Sequence, residues 1–240
     1  MEKIWVITRR ELQSYFDSLM AYILLILFLG FSGFFTWLYG NDIFFIKQAT
    51  LDPFFSIAYW TLFFFIPALT MRLLSEENRL GTIELLLTKP VSNWQVVIGK
   101  YLASLLLITI ALILTLPYVF TISSIGNLDL GGAFSGYLAL VLFSSMYIGI
   151  GMFTSSISNN QIVSYLLALF IGIFFQLIFG LLGSNLQGFS GHVIDYLSTS
   201  SHFDSMIRGV VDSRDLIYFL GISFISLVLS ETMLVKKRYS

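Results

Sequence analysis

The sequence predicts an all-α polytopic membrane protein with six transmembrane helices, and three observations predict it. The first is composition: 57% of the 240 residues are hydrophobic and 11% are charged, with a mean hydropathy of +0.85. An ordinary soluble domain carries about 25% charged residues. The second is the recurrence of apolar runs near the roughly 20 residues that a spanning helix needs, at 19–38, 54–71, 101–122, 134–154, 162–182 and 215–234. The third is the placement of charge. Six spans put both termini on one side. With the termini and the 72–100 segment inside, the cytoplasm receives Lys3, Arg9, Arg10, Arg72, Arg79, Lys89, Lys100, Lys236, Lys237 and Arg238, leaving Lys47, Arg208 and Arg214 outside. That bias follows the positive-inside rule. No internal repeat is visible, so residues 1–240 read as a single membrane domain.

Each element has its own signal. Residues 1–17 predict an interfacial helix, with Ile4, Trp5, Thr8, Leu12, Tyr15 and Phe16 on one side and Lys3, Arg9, Arg10 and Gln13 on the other. Such a basic amphipathic helix rests in the headgroup layer. No A-x-A-like site follows the first apolar run, which reads as a retained span rather than a cleaved signal. Trp37 and Tyr39 close that span in the aromatic belt. Asp52-Pro53 predicts an N-cap followed by proline at the first helical position. Pro67 and Pro117 predict kinks in the second and third spans, because proline removes a backbone hydrogen bond. Ser92 with Gln95, and Ser158 with Gln161, predict capping boxes. In the fourth span Gly132/Gly136 and Ser145/Gly149 permit close helix approach, or are glycines merely tolerated in a membrane helix. In the fifth, Gly172, Gln176 and Gly180 share one face, a weak candidate for a translocation path. The amide of Gln176 is expected to face the bundle and make a structural hydrogen bond. The 183–214 segment predicts an external amphipathic helix through Phe203, Met206, Ile207, Val210 and Val211, and Asp212 with Asp215 a cap-like start for the sixth span.

The chemistry that can be excluded is broad. There is no cysteine, so disulfides and thiolate sites are absent. His192 and His202 read as polar loop residues. Gly99-Lys100 lacks the upstream glycine and the Ser or Thr of a phosphate-binding loop. A net charge of −1 implies no nucleic-acid partner. The span interiors read as lacking the ionisable groups of proton-coupled transporters, so the energy source is expected to lie outside the chain. What stands out is segment 72–100, where Ile83, Leu85, Leu86 and Leu87 lie among Glu76, Glu77, Arg79, Glu84, Lys89 and Lys100. A solvated loop has no need of that apolar run. It reads as a docking surface for another protein, with a helix dipping into lipid as the plainer alternative.

The run Ser75-Glu76-Glu77-Asn78-Arg79-Leu80-Gly81-Thr82-Ile83-Glu84-Leu85-Leu86-Leu87-Thr88-Lys89-Pro90-Val91-Ser92, with Gly99-Lys100 after it, resembles the E-E-x-x-x-G-T-x-E-x-L-L-x-x-P-x-S and G-K pattern of ABC-2-type transporter permeases. Arg10-Glu11-Leu12-Gln13-Ser14-Tyr15-Phe16 resembles the family's K/R-E-L-x-x-Y-F. The stretches 201–205, 208–212 and 215–219 fit it as well, so the resemblance spans nearly the whole chain. Within the family, Thr88-Lys89-Pro90 and Asp52-Pro53-Phe54-Phe55 are most similar to the gliding-motility-associated permeases of Bacteroidetes (GldF type).

The resemblance implies a subunit of a bacterial inner-membrane exporter. It is no enzyme itself and has no cofactor of its own; ATP and magnesium belong to a separate P-loop ATPase. It implies a second permease, as homodimer or heterodimer, and contact with membrane lipid. It makes 72–100 the cytoplasmic coupling segment, in which Ile83, Leu85, Leu86 and Leu87 fill an ATPase groove. Glu76, Glu77, Arg79 and Glu84 meet charges at its rim, Gly81 makes the turn into the helix, and Thr82 caps it. The alternative is a non-transporting scaffold that docks the ATPase by the same segment.

Overall fold

The computed structural model describes residues 2–38, 48–81, 91–186 and 188–239. Regular structure among them is helical, and six helices are long and apolar enough to cross a membrane. Helix α1 spans Glu2–Asp17 and turns at Ser18 into α2, Leu19–Trp37, the first span. The Ser18 side chain accepts from the Met20 N–H, which is the usual way an N-cap satisfies an orphan donor. Helix α3, Asp52–Thr70, is the second span, and α4, Ser75–Leu80, follows after a short turn. The N-cap of α3 is Leu51, with Asp52 the first helical residue and its N–H held by Thr50 Oγ1 at 3.2 Å. The expected Asp52 cap is thus displaced by one position. Pro67 is carried inside α3.

The third span divides. Helix α5, Asn93–Ile113, opens with the Ser92–Gln95 capping box in full. It stops at Leu114 and Thr115, and α6, Leu116–Ile125, restarts with Pro117 in its first turn. The interruption falls where the sequence predicts a kink, since Pro117 has no N–H to give Ile113 O; Thr115, in the turn, donates to Leu112 O at 2.6 Å or pairs with Tyr137 OH at 2.9 Å.

Helix α7, Leu130–Ile157, is the fourth span and the hub of the bundle. It packs against α5, against α3, and against the later helices α8, Gln161–Ile173, α11, Thr199–Ile207, and α12, Ser213–Tyr239. The apolar window of α7 is 83% buried, that of the fifth span only 17%. The Ser145/Gly149 pair is what admits α12. A Cβ on Gly149 would stand 3.2 Å from Ser223 O, so helix backbones do approach closely there. Gly136 instead admits the ring of Phe55, and Gly132 faces Asp129 and Ile207 O. Asn160, not Ser158, caps α8 by accepting from the Ile162 N–H; Ser158 is turned to Asn160 O at 2.9 Å.

The fifth span is not a uniform helix. After α8 the chain makes a π-helical turn, Phe174–Ile178, and continues as α9, Phe179–Asn185. Helix α10, Phe189–Tyr196, then packs back on α9, and α11 enters the bundle. Phe203 stacks on Tyr59 at 4.2 Å between centroids. Tyr59 lies seven residues into α3, about 10 Å along its axis, so α11 is sunk into the end of the bundle. Val210 and Val211, expected on its apolar face, lie beyond its end and are exposed.

Candidate functional site

At one end of the bundle, called the charged end below, three acidic or basic side chains from three distant stretches converge. Lys100, eight residues into α5, is 2% exposed. Its Nζ donates to Glu11 Oε1 at 3.1 Å and to Glu77 Oε1 at 2.8 Å. Glu11 belongs to α1 and Glu77 to α4. A buried ammonium is tolerated only when paired, and losing a partner strands the charge. Lys100 therefore ties α1, α4 and α5 into one unit.

The approach of α1 depends on the residue before the lysine. A Cβ on Gly99 would stand 2.6 Å from Ile7 Cγ2, closer than real contacts allow. Thr8, fully buried, donates its hydroxyl to Gly99 O at 3.1 Å. Farther along, Tyr15 OH meets Ser104 Oγ at 2.9 Å. Burial pushes the Tyr15 phenol well above its ordinary pKa, so the hydroxyl remains a neutral hydrogen-bonding group. The face of α1 that holds Thr8 and Tyr15 is turned to α5, while Trp5 and Val6 are exposed.

The turn between α3 and α4 is held from α7. Ser155 Oγ accepts from the N–H groups of Leu74 and Ser75, each at 3.0 Å, and donates to Met71 O at 3.0 Å. The Ser75 hydroxyl also donates to Met71 O. Asn78 Nδ2 reaches Ser156 O at 3.4 Å. Buried backbone donors must find acceptors, and here one serine of the hub helix accepts from Leu74 and Ser75. Gly81 ends α4 in the left-handed region at φ 67°, which glycine adopts without steric cost.

The structure thus brings Glu77 inward, against Lys100, rather than leaving both oxygens for an outside partner. Glu76 is half-buried and Arg79 exposed beside it. Thr82, Ile83, Glu84, Leu85, Leu86 and Leu87, with Thr88, Lys89 and Pro90, lie outside the described residues. Lys100 and Glu11 went unassigned in the sequence because each stood in a separate motif. The signal was there: three motifs of one resemblance each contribute one charge.

The fifth-span residues lie as follows. Gly172 packs against Tyr147 and Phe63, and Gly180 against Ser198 and Ser200. Gln176, in the π turn, is 4% exposed, and neither its Oε1 nor its Nε2 has a hydrogen-bond partner among the described residues. The expected structural hydrogen bond is absent there. π turns of this kind occur frequently at functional positions.

Two further readings are corrected. His202 is no loop residue: it is 6% exposed, with Nδ1 2.6 Å from Asp215 Oδ1 and Nε2 2.9 Å from Tyr196 O. A nitrogen facing a carbonyl must donate, so the short Nδ1–Oδ1 contact holds a further proton between imidazole and carboxyl. Asp215 is consequently engaged in pairing rather than in capping, and Asp212 Oδ1 takes the capping position by accepting from the Arg214 N–H at 3.0 Å. The spanning helices also carry ionisable residues after all, since Lys100 lies within α5, and Asp215 and Glu231 within α12.

The family model described as ABC-2 family transporter protein matches residues 9–235. The chain belongs to the ABC-2 transporter family. It is therefore a multi-pass membrane protein and a component of a transport system. The matched span of this ABC-2 protein includes Glu11, Glu77, Lys100, the Ser155 elbow and Gln176. No curated protein matches the sequence.

Proposed function

We propose that this ABC-2 protein is the permease subunit of an ATP-driven exporter, worked from its charged end by a separate P-loop ATPase. Membership of the family over residues 9–235 is the observation that carries the reading. Two features support it. The sequence holds no phosphate-binding loop of its own. The segment 82–90 leaves from a rigid base, since α4 before it is fastened to Lys100 and Ser155, and α5 after it begins at a full capping box.

In this reading the charged end is cytoplasmic, by the positive-inside distribution of Lys and Arg. Ile83, Leu85, Leu86 and Leu87 enter the ATPase groove, and Glu84 and the exposed Arg79 meet its rim. Thr82 starts the docking helix. Closure of a pair of ATPases, each under one of two permease chains, moves α4 and α5 together through Lys100, and the spans follow. Gln176, buried without a partner, is the residue of the fifth span that turns toward the translocation path, with Gly172 and Gly180 fixing the packing on either side. A role in gliding motility is the finer proposal, supported by the resemblance at Thr88-Lys89-Pro90 and Asp52-Pro53-Phe54-Phe55.

The test uses the permease reconstituted with its ATPase in proteoliposomes. Glu84→Arg combined with Leu85→Ala is expected to abolish the permease's stimulation of ATP hydrolysis while leaving membrane insertion intact. Undiminished stimulation would sink the assignment. Nucleotide hydrolysis by the purified chain alone would refute the division of labour.

A further inference from the structure

Spans one and two leave an apolar groove between them. The section nearest the charged end has a volume of about 390 Å³ and is walled by Leu19, Ile23, Leu27 and Phe65, with Ser18 and Arg72 at its mouth. A second section continues it along the same two helices past Phe31, Phe35 and Ile57, and Phe65 borders both. Ile23 is 53% and Leu27 42% exposed, so the groove opens outward from the bundle. The first section runs about 12 Å from Leu19 to Leu27 at the helical rise, and the second carries the wall on to Phe35, about 24 Å in all, against roughly 30 Å for the hydrocarbon core.

The mouth carries a charge in need of an acceptor. Arg72 Nε is buried and has no hydrogen-bond partner among the described residues. The ion pairs found among those residues involve Lys100 and His202, not Arg72. A guanidinium fork matches the oxygens of a phosphate. An apolar slot of that length, ending at a guanidinium that joins none of those ion pairs, calls for a molecule with an anionic head and a hydrocarbon tail.

We propose that this groove is a binding site for an anionic bilayer phospholipid, with one acyl chain between α2 and α3 and the phosphate on Arg72. A neutral filler would leave the guanidinium unmatched. A protein partner would have to present a carboxylate at the edge of the hydrocarbon beside an apolar ridge. A lipid supplies both in one molecule, and the bilayer delivers it at the right depth. The site rests on the chain being a membrane protein and stands apart from the transport reading above.

The experiment is native mass spectrometry of the full-length chain in mild detergent, titrated with phosphatidylglycerol or phosphatidylcholine of identical acyl chains. The wild type is expected to retain phosphatidylglycerol about fivefold better, the attraction of about one basic residue for anionic lipid. Arg72→Gln should erase that preference. Ile23→Trp, at an exposed position that fills the groove without touching the core, should reduce retention of both lipids while Arg72 stays in place. Equal retention of the two lipids by the wild type, or a preference that survives Arg72→Gln, would overturn the proposal. So would a preference that appears only in Glu84→Gln, which would make the chain's own carboxylate the occupant. The sequence has no cysteine, so Leu27→Cys introduces a single thiol. A disulfide-linked dimer through it in native membranes would assign the groove to a second copy instead.

Discussion

Lys100 illustrates how much a single buried charge can determine. It is held by two carboxylates that are themselves a fifth to a quarter exposed, so water shares in solvating them and the full penalty of a buried pair does not apply. Removing the lysine still leaves two like charges facing each other across α1 and α4. Lys100→Met is expected to cost about 3 kcal/mol, the lower end for breaking a buried pair, read as a fall in the unfolding midpoint in detergent. Lys100→Arg should recover part of it. Gln176 makes the opposite case. Its amide is buried and unmatched, and an unsatisfied buried polar group costs about 1–3 kcal/mol. Gln176→Leu should therefore leave the melting temperature unchanged or raised, while ATP-dependent transport falls. A variant both less stable and fully active would show the amide to be structural.

At the scale of elements, the docking of α1 on α5 rests on an absent side chain. Gly99→Val would force Ile7 away and separate Glu11 from Lys100. The expected result is a protein that still inserts but whose α1 amides exchange with solvent at least tenfold faster, measured by hydrogen exchange. The elements also show what sequence can and cannot convey. The six spans were legible because burial in lipid imposes length and apolarity on each run separately. The Ser92 cap was legible because its partner is three residues away. The interruption at Pro117 was legible because a proline's missing N–H is a local property; the contact of Thr115 with Tyr137 of another helix was not. Helix α4 was missed because six residues, SEENRL, carry no periodic signal. It is held by Ser155, 80 positions from Ser75, and by Lys100.

For the molecule as a whole, the candidate site was legible as a segment and not as a constellation. The unusual mixture of charge and leucine marked residues 72–100, and the resemblance gave them a role. That Glu11, Glu77 and Lys100 meet, and that His202 is buried against Asp215, are facts of assembly, fixed by how helices far apart in sequence cross. The same assembly gives the bundle a graded construction, with a buried hub in α7 and a lightly covered fifth span. Displacing α7 would therefore disturb far more packing than displacing the fifth span.

The wide turn at Phe174–Ile178 sets the rotational phase of that span. A helix with one residue more than the α repeat requires is two helices whose faces differ by about 100°, the advance of one residue. Helix α9 thus shows α10 and α11 a different stripe from the one a continuous helix would show, and in that phase Gly180 faces Ser198 and Ser200. Were the extra residue to pass to a neighbouring turn, the end of the span would rotate like a screw head while its shaft stayed still. The turn at Phe174–Ile178 thus decides, through backbone geometry alone, which side chains of the fifth span face the helices that follow it.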